Sequence, residues 1–228
     1  MGIDPDGTLG DLDPDVRREL RGLARPAAER VARHLVATAR LLDDDPAAAL
    51  EHARAARRAA ARIGAVREAN GIAAYLNGEW AEALRECRAA HRMMGDPSLL
   101  HVIADCERAL GRPGRAIEIA RSAQVREAAP VWRAELAMVE AGARSDLGQH
   151  AAALLALESA GARSDDVEEW TPRLWYAYAA VLQSAGRSAE AARWFLATAQ
   201  VDADESTDAW TQYEQLHGTA GDADHSRG

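Results

Sequence analysis

Gly71-Ile-Ala-Ala-Tyr75-Leu-Asn-Gly78-Glu-Trp80-Ala-Glu-Ala83-Leu-Arg-Glu-Cys87-Arg-Ala-Ala90 is the stretch whose reading decides the fold. Small side chains recur at the spacing where two packed helices would touch, and a glycine stands where one helix must end and the next begin. A large apolar residue follows the corner. The pattern predicts a helical hairpin, with helices over residues 65–77 and 80–93 joined at Gly78.

Moving outward, the same pattern recurs. Pro26 and Asp43-Asp44-Asp45-Pro46 bracket and start helices over 27–42 and 47–62, since Pro fits the first helical turn and Asp caps it. Later pairs are expected at 98–110 with 115–125, at 129–147 with 150–160, and from Thr171-Pro172 through Gly186 to 189–201. Asp13-Pro14 opens a short helix to Leu23, and a last helix spans 207–216; these are expected to cap the array. Residues 1–12 and 218–228 are rich in polar residues and turn formers and read as flexible ends of one domain over 13–217, with Gly161 to Glu169 as an acidic connector near Asp165.

Taking Asp44, Gly78, Gly111, Gly148 and Gly186 as the same corner gives separations of 34, 33, 37 and 38 residues. Two helices per unit at a period near 34 define about five repeats, at 30–63, 64–96, 97–133, 134–171 and 172–205. The registers agree too. Five residues past each corner stand Ala49, Ala83, Ala116, Ala153 and Ala191, and twelve past stand Ala56, Ala90, Ala123, Ala160 and Thr198. Small groups are needed where neighbouring helices cross closely, and Cys87, Leu157 and Phe195, nine past their corners, fill the adjoining space.

With period and register coinciding five times, residues 30–205 resemble the tetratricopeptide repeat superfamily. Gly71 and Tyr75 come nearest its Leu-Gly-x-x-Tyr pattern, with the tyrosine displaced by one residue. Val31-Ala-Arg-His34-Leu, Ala104-Asp-Cys106-Glu-Arg108 and Ala141-Gly-Ala-Arg144-Ser-Asp-Leu-Gly148 resemble an actinobacterial branch to which no reaction is attached. The resemblance implies an all-α fold, a right-handed α-α superhelix whose concave face, lined by the first helix of each unit, binds peptides or proteins. On that geometry the face would present His34, Thr38, Glu68, Ile72, His101, Asp105, Met138, Gly142, Tyr176 and Ala180, with Arg108, Glu135, Arg173 and Gln183 near its rim. The superfamily's carboxylate clamp of Lys, Asn and Arg is missing, because Glu68, Ile72 and Val102 stand in its place, so chaperone tails are not expected partners.

Composition agrees with helices: 48% of the 228 residues are hydrophobic, only 5% are aromatic, and alanine, the best helix former, is abundant. No apolar run is long enough for a membrane helix, the amino terminus lacks the pattern of a signal peptide, and Cys87 and Cys106 read as buried thiols. A cytoplasmic protein is expected. The net charge of -9 argues against nucleic acid or anionic membrane as the main partner. It is unevenly spread: residues 15–67 hold twelve arginines against seven acids, a balance of +5, leaving -14 elsewhere.

His101, Asp105 and Arg108 share one helix face and either grip a carboxylate or backbone segment, or form a solvated surface with a local Asp105 to Arg108 ion pair. Arg54, Arg57, Arg58 and Arg62 form a basic stripe, read as a solvated outer face because no aromatic residues interleave with it. Cys87 and His91, with His101 and Cys106, do not converge as a metal set, and no cofactor, metal or catalytic group is expected. Trp80 and Trp175 fall at core positions, whereas Trp132, Trp170 and Trp210 are off-register anchors for the chain's own end helices or for a partner. Three functions follow in order: a non-catalytic scaffold for a protein or peptide, a ligand- or peptide-responsive sensor that closes through the connector near Asp165, and an enzyme with a hidden site. Self-association through the end helices stays open.

Overall fold

The computed structural model describes residues 7–164 and 166–225. These residues form thirteen α-helices and no strand, and the chain divides into two compact units, Met1–Arg112 and Pro113–Gly228. The fold is all-α and built of tandem helix pairs, as the period and register require.

The first unit holds α1 (Pro14–Leu20), α2 (Arg25–Leu41), α3 (Pro46–Ala59), α4 (Gly64–Leu76), α5 (Trp80–Met94) and α6 (Leu100–Ala109). Helix α2 packs on α3 and α4 packs on α5, while α3 also meets α4 and α5 meets α6. Each pair thus stacks on the next. Before them, Thr8 caps a short 3₁₀ turn over Leu9–Asp11, its hydroxyl and Asp11 capping each other's backbone. The core beneath α1 and α2 is aliphatic: Leu20, Val31, Leu35, Ile63 and Val66 close around Ala28, Ala32 and Ala56.

The second unit holds α7 (Pro113–Ala120), α8 (Ala123–Glu127), α9 (Pro130–Asp146), α10 (His150–Ser159), α11 (Thr171–Ser184), α12 (Ser188–Val201) and α13 (Ala209–His225). Its core is more aromatic, with Tyr178 and Phe195 buried among Leu154, Leu157, Leu174 and Leu182, and Trp170, Trp175 and Trp194 packed around them. The sequence suggests one helix over 115–125, yet the chain makes two, because Ser122 takes the extended conformation of an N-cap (φ -65°, ψ 161°) and restarts the helix. The last helix continues to His225, beyond the expected end at Leu216.

Four of the five corners are the same device. Gly78, Gly111, Gly148 and Gly186 have φ of 71°, 76°, 70° and 75°, the left-handed conformation that closes a helix. At the first, Gly78 N–H donates to Tyr75 O and Glu79 N–H reaches back to Ala74 O, 2.9 Å away. The same double bond recurs from Gly111 and Arg112, from Gly148 and Gln149, and from Gly186 and Arg187. The Asp44 corner is built otherwise: Asp45 N–H returns to Leu41 O, its side chain caps Ala48 N–H at 3.0 Å, and Pro46 opens α3.

The alanine register is real. Ala49, Ala83, Ala116, Ala153 and Ala191 are all 0% exposed, as are Ala56, Ala90 and Thr198 in the second register. Ala160 is only half-buried, and the side chain of residue 123 lies outside those described. Gly71 is tighter still: a Cβ there would fall on Cys87 Sγ and 3.0 Å from Cys87 N, so the missing side chain lets α4 lie directly against α5.

Candidate functional site

Helix α4 begins without a side-chain cap of its own. Glu19 of α1 supplies one from a distance, its Oε2 accepting from Gly64 N–H at 2.8 Å and Ala65 N–H at 3.3 Å. A carboxylate at a helix amino terminus satisfies free backbone donors and sits favourably in the helix dipole. Asp13, hydrogen-bonded to Asp15 N–H at 2.8 Å, and Pro14 start α1 so that it is held across the beginning of α4.

Two adjoining recesses result. One, of about 260 Å³, is almost wholly apolar: Leu12 and Val16 wall one side, Leu35, Thr38, Ala39 and Leu42 of α2 another, and Ala65, Glu68, Ala69 and Ile72 of α4 the third. The other, of about 720 Å³, is rimmed by Asp13, Asp15, Glu19, Glu68 and Asp96, with Arg18, Arg62, Met93 and Met94. Val16, Ala65 and Glu68 border both. Most of the rim carboxylates already have work: Asp15 pairs with Arg18 at 2.8 Å, Glu19 caps α4, and Asp96 caps Ser98 N–H at 2.9 Å. Glu68 makes no hydrogen bond or ion pair among the described residues. Burial, reinforced by the charges of Asp96 and Glu19, raises its pKa.

The structure therefore brings three of the expected residues, Thr38, Glu68 and Ile72, to one recess. Thr38 contributes mainly its methyl, since it is 3% exposed and its hydroxyl donates to His34 O at 2.9 Å. His34 turns to His52 instead, Nδ1 to Nδ1 at 3.0 Å. On α6, Asp105 is taken by its own neighbours: Arg108 Nε donates to Oδ1 at 2.8 Å and Tyr75 O–H to Oδ2 at 2.7 Å. The local Asp105 to Arg108 ion pair is thus present on that helix face. In the second unit Arg173 pairs with Glu135, Met138 packs on the aromatic core, Tyr176 lies edge-on to Phe195 at 5.3 Å, and Gln183 is exposed. Tyr176 is also hydrogen-bonded to Asp208, and burial with that bond pushes its pKa up to about 12. Asp165, the residue near which closure is expected, lies outside the described residues.

The arginine stripe on α3 requires a correction. Arg54 and Arg57 are only partly solvated and reach the next pair: Arg54 Nη2 donates to Glu82 at 2.5 Å, and Arg57 Nε to Glu86 at 3.1 Å. Glu86 is 0% exposed and is held also by Arg67 at 2.7 Å and Arg85 at 3.0 Å. Glu107, 2% exposed, is gripped likewise by Arg88 and by Arg112 at 3.0 Å. Only Arg58 and Arg62 of the stripe are exposed. These contacts span 28 and 29 residues, several short of the repeat period, and join α3 to α5, so neither helical spacing nor the period signals them in the sequence. Trp80 and Trp175 are half-buried rather than fully enclosed, Trp80 lying edge-on to Tyr75 and Trp175 to Trp194. Trp210 is 55% exposed. Cys87 and Cys106 are both buried and unpaired, and desolvation pushes each thiol up to about 12. Among the described residues no helix is long and apolar enough to cross a membrane.

Stacked helix pairs with left-handed glycine corners and a buried alanine register define a helical-repeat fold of the tetratricopeptide type. A solved structure with this arrangement is the apo form of the quorum sensor NprR from B. thuringiensis, which superposes with a TM-score of 0.65 at 14% identity over 93% of this chain and 66% of that one. The chain thus spans a little under two thirds of that protein's length, and at this identity the likeness is one of fold. No family model matches the sequence, and no curated protein matches it.

Proposed function

We propose that the chain is a non-catalytic binding module that takes a peptide or protein segment in the recess walled by α1, α2 and α4. The observation that carries this reading is Glu68, a half-buried carboxylate without a partner, placed where an apolar hollow meets an acidic one. Burying a charge is costly unless an opposite charge or donor meets it. A segment with an aliphatic side chain next to a Lys, an Arg or a free amino terminus would supply both halves. The aliphatic group would fill the 260 Å³ hollow, and the cation would sit on Glu68 among the rim carboxylates. His101, Asp105 and Arg108, with Glu135, Met138, Arg173, Tyr176 and Gln183, remain proposed contacts of a longer partner, secondary to Thr38, Glu68 and Ile72. The acidic rim and the net charge of -9 favour a cationic segment over nucleic acid.

A second reading, a ligand-responsive sensor, is favoured by the position of α1 and by the fold shared with a quorum sensor. Leu12 and Val16 wall the recess, while the polar tie from α1 to α4 is the single carboxylate of Glu19. A ligand touching both Val16 and Glu68 would fasten α1 down.

Fluorescence anisotropy with labelled hexapeptides tests the first reading. Peptides pairing Leu or Ile with Arg are expected to bind, and an acidic peptide of equal length is not. Glu68→Gln is expected to weaken the cationic peptide at least tenfold. Equal binding of both peptide classes, or an unchanged affinity in Glu68→Gln, overturns the assignment. For the second reading, hydrogen exchange across 13–20 should slow on binding; exchange unchanged at saturating peptide refutes a sensor working through α1.

A further inference from the structure

Away from that recess, the α2–α3 hairpin gathers three arginines, Arg30, Arg33 and Arg58, around the pair His34 and His52. His34 and His52 face each other with Nδ1 atoms 3.0 Å apart and ring centroids 5.3 Å apart. At that distance one imidazole donates and the other must keep a bare lone pair, so the pair shares a single proton at the contact. Arg30, Arg33 and His34 fall at i, i+3 and i+4 of α2 and so share a face, and Arg58 of α3 lies near enough to act on the same imidazole. Burial first, then His52 and the three guanidiniums, lower the pKa of His34.

Most arginines in the middle of the unit are paired. Arg54, Arg57, Arg67, Arg85, Arg88 and Arg112 are each met by a glutamate. Arg30, Arg33 and Arg58 make no hydrogen bond or ion pair among the described residues. One of their donors is also out of reach of solvent: Arg33 Nε is buried and has no acceptor. A buried N–H left without an acceptor is a standing penalty that a suitably placed anion removes.

We propose that Arg30, Arg33, Arg58 and the His34–His52 pair form a binding site for a phosphate-type oxyanion. Three guanidiniums offer forked N–H donors whose geometry suits tetrahedral oxygen acceptors. Their summed charge calls for more than one negative charge, which a carboxylate does not carry and a phosphate does. The shared proton of the imidazole pair lets the site turn one further N–H toward the ligand without a second buried cation. The exposed Arg30 and Arg58 admit the anion from solvent, and the half-buried Arg33 and His34 fix its depth.

Calorimetric titration of the full chain at constant ionic strength tests the site, with inorganic phosphate, sulfate, O-phosphoserine and chloride as probes. Phosphate is expected to bind saturably, sulfate to compete with it, and chloride to do neither. Both Arg33→Gln and Arg58→Gln should weaken phosphate at least tenfold, whereas Arg187→Gln in the second unit should leave it unchanged. Arg58 is exposed, so its variant keeps the fold even where the half-buried Arg33 does not tolerate change. O-phosphoserine binding more tightly than phosphate marks an ester as the ligand, and the reverse order marks the free ion; either order supports the site. Chloride matching phosphate, or Arg58→Gln binding like the parent chain, overturns it.

Discussion

Glu68 holds a charge that the folded chain would be more stable without. Its pKa is raised above the ordinary 4.5, first by burial and then by Asp96 and Glu19. The folded state therefore binds a proton more readily than the unfolded one, and stability falls as pH rises from 4.5 through the folded value, leaving a fixed penalty at neutral pH. Glu68→Gln is accordingly expected to raise the melting temperature at pH 7 while lowering affinity for a cationic peptide. A carboxylate kept for structure alone would shift the melting temperature the other way. Gly71 is the opposite kind of residue, kept for packing. Ala at this position would drive a methyl into Cys87, and Gly71→Ala should cost about 1–3 kcal/mol in denaturant unfolding, because an overfilled helix contact has to spread.

Among the elements, the corners and the helix crossings give different costs for the same substitution. At Gly148 a methyl would meet nothing within 4 Å, so Gly148→Ala carries only the left-handed backbone penalty of about 1–2 kcal/mol. Urea unfolding of Gly148→Ala beside Gly71→Ala checks whether backbone and packing separate in this way. The Gly148 corner is legible in the sequence, since a glycine before a small-residue helix at a period near 34 has few other uses, whereas the contact of Gly71 with Cys87 shows only when α4 and α5 are packed. The boundaries of α2, α4, α5 and α9 are legible for the same reason. Less was legible where partners lie far apart in the chain. Arg57 and Glu86 look like two solvated charges until α3 and α5 are set side by side, and Thr38 looks like a polar groove contact until its hydroxyl is seen to be spent on His34 O, which leaves its methyl to the recess. Glu68 and Ile72, which the resemblance places together on one helix face, line the same recess, but its remaining wall, Leu12 and Val16, belongs to a segment outside the repeat pattern.

Across the whole molecule, acid should act first on the first unit. Glu82 is lowered chiefly by its hydrogen bond from Arg54. At Glu86 burial pushes upward, but the bonds from Arg57, Arg85 and Arg67 prevail and the pKa is lowered as well. Each contributes stability that is fully present above the unfolded value of 4.5 and is lost as pH falls through the folded one. The core of the second unit is aromatic and aliphatic, and the one buried carboxylate among its described residues, Asp202, serves the loop after α12 through Ser206 and Thr207. Hydrogen exchange between pH 5 and 3 should therefore show protection failing in α3, α4 and α5 before α11 and α12; simultaneous loss would contradict this order. The close seat of Cys87 against Gly71 gives a way to time such openings without acid. A thiol reagent reaches that sulfur only in molecules whose α4 and α5 have parted, so the rate of alkylation is a clock for a single helix crossing, wound by the residue that has no side chain.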